Sequence, residues 1–571
     1  MRLGERAIRE PCARTATRRL AIVLLAGAAL AAAPAPAIQI VGYDASINDR
    51  FLTGFPELPT PNTGLVFVGL PYDLAGIAWS SLDATKGFGF LSPLHYLVAT
   101  HYGGAAEVGF LGDGGTVSTV PGLTVIPTGL GFPQGGGDLS IGRLAAPVPA
   151  AAGLPRYAVL DLNATSASDT PAAYAGRPVL VSGRGTATVP PGSPRLVASE
   201  VATAASTLYG ANTGYMLTTT ADFTLETGDS GSPLFVQTTN PNGQAELAII
   251  GNHAAVDRSL GNNIHNFLGR ADVMNAVAGI MAADGLALRI TGTVRATWSG
   301  GASTSIGSRA AWGLSRPAQP PADAFVLFDA AAADSRVVTV DAARELRGLF
   351  FRSTPVAGDG FTFGGAATLT IGRGGIVNYD GDHQVFTAPL ALADHQHWDV
   401  GPGGITTAAL ATRGSLLEIA GSGTTILGGV VSGSGAVSVS GPGTVILGAV
   451  ADHTGPTRLF GGTLELTPEG GLAGTPLVDV GVGAHFDVSA LERYLVPAGQ
   501  MLGGEGTVVG SVVFGAGSTL SPGRSTAPPP PAAPLPAAAV MVPEPAAAIP
   551  GVGVLAALAV VRVRRRPSRS A

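Results

Sequence analysis

Gly228-Asp229-Ser230-Gly231-Ser232-Pro233 lies downstream of Ala99-Thr100-His101 and of Gly137-Asp138-Leu139 in a chain of 571 residues. A serine hydroxyl is a weak nucleophile at neutral pH. It attacks a carbonyl efficiently only when a neutral imidazole takes its proton and a carboxylate fixes the imidazole tautomer. The three segments offer one residue for each role, in the order His, Asp, Ser. Glycine at 228 and 231 permits backbone conformations that a Cβ would block. The hexapeptide therefore reads as a tight turn in which the N–H groups of Gly228 and Ser230 converge on one point as an oxyanion hole.

Working outward, the composition carries 82 glycines and 43 prolines with few aromatics, which favours short strands and many turns over helix bundles. The length predicts several domains. Between residues 38 and 288, short apolar runs stand between Gly, Pro and Asn turns. Those at 65–68, 96–99, 179–181, 215–219 and 247–250 are expected to be strands, being β-branched or bounded by glycine. The pattern is that of a pair of β-barrels in an all-β protein.

The order of these motifs resembles the trypsin-like (chymotrypsin-fold) serine peptidases. In that family a strand delivers the catalytic histidine just after an Ala-Ala pair; here Thr100 replaces the second alanine and Tyr102 the usual cysteine. Gly137 to Leu144, followed by Pro147-Val148, resembles the family's aspartate segment, and Ser232 stands where a glycine is preferred. The resemblance implies His101 as general base and acid, Asp138 as its orienter and Ser230 as nucleophile. It also implies an oxyanion hole at Gly228 and Ser230, no cofactor, and a protein or peptide substrate. His95 is assigned a structural role, with Asp113 and Asp161 as fallbacks for Asp138. Val181 to Gly185 looks like the family's Gly-Trp-Gly turn with Arg for Trp. Thr224 falls at the base of the primary pocket, which gives no support to a Lys/Arg preference. Glu226 is expected to be a solvated carboxylate near the pocket mouth. Ala254-Ala255-Val256 would pair with an extended substrate as an added strand, with His253 structural beside them. Ile40-Val41-Gly42-Tyr43 resembles the new N-terminus that pairs with the residue at Asp229 in zymogen-derived members. The alternative is that internal donors hold Asp229.

The two ends are basic: residues 1–37 carry six arginines against two glutamates, and residues 546–571 carry five arginines and no acid. The formal charge of −6 therefore understates the acidity of the middle, which lacks the clustered cations of a nucleic-acid surface. Arg18-Arg19, an apolar run and Ala35-Pro36-Ala37 read as a signal peptide, residues 1–37, cleaved after Ala37. The only cysteine, Cys12, falls inside it, so no disulfide is expected in the mature chain. At the other end a Pro/Ala-rich linker, 525–541, precedes Val542-Pro543-Glu544-Pro545, an apolar stretch and an Arg-rich tail, 542–571. This resembles the PEP-CTERM sorting signal of exopolysaccharide-producing Gram-negative bacteria. It implies an exosortase-type partner, a halt in the inner membrane through a C-terminal helix with the arginines inside, and an exopolysaccharide matrix as a further partner. The expected destination is the cell envelope, cell surface or extracellular matrix. Terminal hydrophobic helices thus flank the β-structure.

From Gly421 the chain repeats itself. Gly421 to Val430 matches Gly441 to Val450 at seven of ten positions and a spacing of 20, with echoes at Gly462 to Leu466 and Gly506 to Gly510. Such a period fits the coils of a β-solenoid, glycine at the corners and alternating apolar side chains inside. The pattern resembles the autotransporter-associated β-strand repeat. That implies a right-handed solenoid over residues 289–524, with Trp298 and Trp312 in its flank, acting as a stalk or adhesive spacer. His395 and His397 share one face of an expected strand without a third ligand, so no metal site is expected there. The rival to an exported peptidase is a non-catalytic surface or matrix protein on a peptidase-like scaffold.

Overall fold

The computed structural model describes residues 38–523 apart from 83–85, 113–114, 133–136, 150–151, 155, 163–169, 185–192, 203–214, 220–221, 227, 258–260, 314–319, 354–357 and 359. The signal segment with Cys12, the linker, Val542 to Pro545 and the terminal hydrophobic helices lie outside the described residues, as does Asp113. Among the described residues no helix is long and apolar enough to cross a membrane.

Six antiparallel strands close the first barrel in the order Ile77–Ser80, Gly87–Phe90, His95–Ala99, Leu139–Leu144, Val117–Leu130, Glu107–Leu111. Phe88, Phe90, Tyr96, Val98, Val108 and Phe110 fill it. Pro233–Thr239, Pro178–Arg184, Pro194–Ala202, Met216–Thr219, Asn262–Phe267 and Ala245–Asp257 close a second, the last strand returning to the first. Ala158–Leu160 and Ile290–Thr291 extend its wall as parallel strands. Four of the five runs expected to be strands lie in these barrels. Residues 65–68 do not: they form a turn between Gly64 and Gly69 that buries Phe67 and leaves Leu65 94% exposed. Asn62 accepts the Gly64 N–H through its side chain and holds that turn.

Beyond the barrels the chain winds into a parallel β-solenoid. One face is a nine-stranded sheet in which Thr424 lies beside Thr444, Thr463, His485 and Thr507 in turn. The two matched segments and both echoes read from the sequence stack there. Within each coil the side chains alternate, so that Leu427, Leu447 and Leu466 point inward. At the N-terminal end Trp298 packs edge-on against Trp312, their ring centroids 5.2 Å apart.

The repeat region is no free-standing stalk. Phe325, Leu327, Phe350 and Val377 of the solenoid share one buried cluster with Val159, Ile249, Leu288 and Ile290 beside the second barrel. The helix Ala271–Ala283 contributes Val273, Met274, Val277 and Met281 to the same cluster. Asp161 pairs with Arg347, and Glu418 receives Arg156 and the Ala287 N–H. Short Gly-Thr coils show no outward apolar signal for such docking; the Phe-rich early coils supply it.

Candidate active site

The strand His95–Ala99 is buried throughout and passes into a single 3-10 turn, Thr100–Tyr102, that lifts His101 to the barrel rim. Antiparallel pairing of Ala99 with Leu139 sets Asp138 beside that turn, where its carbonyl accepts the Thr100 N–H at 2.9 Å. Gly137 makes the approach possible: at φ +60 its place leaves no room for a Cβ, which would lie 2.2 Å from the Leu130 backbone. Register, not chance proximity, brings histidine and aspartate together.

Asp138 Oδ1 accepts both the His101 backbone N–H at 3.0 Å and the ring Nδ1–H at 2.7 Å. That assignment leaves the Nε2 lone pair for the Ser230 hydroxyl, whose Oγ lies 3.0 Å away. The Asp138 side chain is 2% exposed and the His101 ring 50%. The buried carboxylate thus holds a ring whose far edge meets solvent. Asp138 Oδ2 is buried and has no hydrogen-bond partner among the described residues.

Ser230 comes from the second barrel. Its turn is clamped to the strand Ala245–Asp257 by Gly231 N–H to His253 O at 2.9 Å and His253 N–H to Ser232 O at 3.0 Å. Gly228 at φ +107 and Gly231 at φ +87 adopt the left-handed conformations the sequence required of them. Among the described residues, neither the Gly228 nor the Ser230 N–H has an acceptor in the protein.

The strand Pro233–Thr239 accompanies Ala245–Asp257 only as far as Pro233 beside Asn252. On that side Ala254, Ala255 and Val256 have no strand partner among the described residues, while their other side pairs with Asn262–Phe267 around a bulge. Thr224 is half-buried and pairs with Gln39 in a short N-terminal strand. Glu226 is corrected from a solvated carboxylate to a buried one: it is 8% exposed and accepts Gln39 Nε2 at 2.9 Å. His95 is buried between Ser92 Oγ and Asp284 Oδ2, and Asp161 is committed to Arg347, so neither competes with the triad residues.

Ile40 pairs with Phe223 rather than with Asp229. Ile38 takes the expected position: its side chain is fully buried and its nitrogen lies 2.7 Å from Asp229 Oδ2. The same carboxylate accepts the Glu226 and Arg184 N–H groups, both at 2.9 Å. Burial pushes the Asp229 carboxyl up to about 7 against those three N–H bonds, with Glu226 adding to the rise. Gly183 is needed here, since a Cβ would stand 2.9 Å from both Asp229 Oδ1 and Ile38.

Behind the nucleophile turn the sequence reading left His265 and Asn266 unassigned. Asn252 pairs with Asn266 and His253 with His265 on adjacent antiparallel strands. Asn266 Nδ2 donates to the Asp138 carbonyl and to Asn252 Oδ1. The two imidazoles meet Nδ1 to Nδ1 at 2.8 Å, and His253 Nε2 donates to the Ser182 carbonyl. His253 Nδ1 must then accept from His265, whose Nε2 accepts the Thr219 hydroxyl at 3.2 Å. The signal was the mirrored pair Asn-His and His-Asn, twelve residues apart across one hairpin. In the solenoid, His395 Nδ1 accepts the Leu416 N–H and His397 faces Glu418, so the two histidines do not converge.

No protein-family model matches this chain, and no curated protein matches it significantly.

Proposed function

We propose that this chain is an exported serine endopeptidase of the trypsin-like kind, hydrolysing peptide bonds through His101, Asp138 and Ser230. The observation that carries the reading is the unbroken line from Asp138 Oδ1 through the His101 ring to Ser230 Oγ, with steps of 2.7 and 3.0 Å. His101 takes the Ser230 proton as Oγ attacks the scissile carbonyl, and the Gly228 and Ser230 N–H groups receive the oxyanion. The imidazolium, steadied by Asp138, gives the proton to the leaving amine. Water activated by the same ring then releases the acyl group from Ser230. An extended substrate would lie along Ala254 to Val256 as an added strand.

A fluorophosphonate probe tests the reading. The chain from Ile38 onward should be labelled, and Ser230→Ala should abolish the label. A wild-type chain that stays unlabelled would favour the rival, a surface protein on an inert scaffold. Export through residues 1–37 and sorting through Val542 to Pro545 by an exosortase-type enzyme belong to the same proposal. Replacing Glu544 should leave unprocessed precursor in the inner membrane; normal processing of that variant argues against recognition of the motif.

A further inference from the structure

A cleft of about 330 Å³ opens where the helix Ala271–Ala283 faces the corners of the solenoid. Met274, Ala278, Leu288 and Ile290 form its apolar wall. Opposite them stand Arg373, Arg413 and His395 from three successive coils, with Asp394 the only acid in the lining.

Arg373 meets the protein through one long ion pair, to Asp394. Arg373 is 12% exposed, yet among the described residues its guanidinium makes no hydrogen bond. Its Nε is buried without a partner, and Asp394 Oδ1 stands 3.8 Å from Nη2, beyond hydrogen-bond reach. A guanidinium so far withdrawn from water is costly unless something anionic completes it. Arg413 is exposed at the cleft mouth, and at φ +51 it is the one non-glycine among the described residues with a positive φ. Strain of that kind collects at ligand clamps, and its neighbour Gly414, at φ +86, would have borne it more easily. His395 Nδ1 is occupied by the Leu416 N–H, so its neutral ring carries the proton on Nε2 and adds a third donor.

We propose that this cleft binds the carboxylate of a ligand with an aliphatic body, as at the free C-terminus of a short apolar peptide. The arginines take the carboxylate, for which the guanidinium fork is shaped. Met274, Leu288 and Ile290 cover the aliphatic part. The lining holds no aromatic face on which a sugar ring would stack, and its volume lies at the small end of ordinary ligand sites, which favour domain junctions such as this one.

The test uses the chain from Ile38 onward with Ser230→Ala, so that no peptide is turned over. A fluorescent peptide ending in Leu-Leu is titrated as the free acid and as the C-terminal amide. The acid should bind saturably, and the amide at least about tenfold more weakly. Arg373→Gln and Arg413→Gly should each weaken the acid by a similar factor. Arg413→Gly relieves the positive φ, so it should keep or raise the thermal midpoint and separate lost binding from lost folding. Equal affinity for acid and amide, binding that survives both substitutions, or no saturable binding overturns the proposal. Residual binding in the triad cleft would survive both arginine substitutions and so counts against it.

Discussion

At Asp138 a single oxygen does two jobs, fixing the His101 backbone and the ring tautomer together. Asp138→Asn should therefore lower kcat by roughly 10⁴-fold, the cost of the wrong tautomer in a triad of this geometry. Its amide NH₂ must also face either two N–H donors or the partnerless Oδ2 position, so about 1–3 kcal/mol of stability should go with it. Steady-state kinetics and urea unfolding separate the two effects; wild-type kcat in this variant would remove Asp138 from the mechanism. His253 and His265 carry a second prediction. Burial lowers the His253 pKa to about 4, and both burial and its neighbour lower that of His265. In the unfolded chain each binds its proton near 6.5, so between about 6.5 and 4 the unfolded state holds more protons and stability falls as pH drops. For His253 alone the loss is roughly 3 kcal/mol at the acid end. His253→Leu with His265→Leu should flatten the thermal midpoint across that window, and an unchanged slope would show that other groups govern it.

The short N-terminal strand Gln39–Ile40 lies against Phe223–Thr224 and seats Ile38 on Asp229. A peptide N–H at Ile38 leaves that carboxyl near 7; an α-ammonium there, produced by cleavage after Ala37, would favour its ionised form. With residues still attached, stability is fullest below the ordinary carboxyl pKa and is lost as pH rises through about 7. With a free Ile38 that loss should vanish. A chain starting at Ile38 should also react with fluorophosphonate at least about tenfold faster than one starting Gly-Ser-Ile38, if the ion pair orders the Gly228 to Ser230 turn. Equal rates would show that the turn forms without it. The expected cleavage after Ala37 already pointed at this residue, but the Ile-Val-Gly string two residues later drew the reading away. Short contiguous strings were enough to find the three side chains that meet at His101 and the coil period, because local turn chemistry and stacking write themselves into adjacent letters. Ile38 on Asp229, the burial of Glu226 and the paired histidines depend on partners a dozen to nearly two hundred positions away. The two arginines of the cleft become notable only once the fold sets them in one cleft and shows the buried, partnerless Arg373 Nε.

At the scale of the whole molecule, buried ion pairs cross between the barrels and the solenoid. Arg347 donates through Nε to Asp161 Oδ2 at 2.7 Å, with both side chains buried. Glu418 is fully buried, and against the upward push of that burial Arg156 and His397 hold its carboxyl well below the usual range. Separating the two parts would expose a shared apolar cluster and strand these charges, so they should unfold as one unit. In a Trp79→Phe background, which removes the tryptophan of the first barrel, Trp298, Trp312 and Trp398 report on the solenoid, whereas fluorophosphonate labelling of Ser230 reports on the barrels. In a urea series both signals should fall at the same midpoint. Arg347→Met takes the guanidinium away from the buried Asp161 carboxylate; removing one partner of a buried pair typically costs about 3–5 kcal/mol, and it should move both midpoints down together. Adding Asp161→Leu should restore much of the loss, because an apolar pair then replaces the buried charges. Were the repeats only a spacer, tryptophan emission would change at one urea concentration and labelling at another, and Arg347→Met would shift only the first.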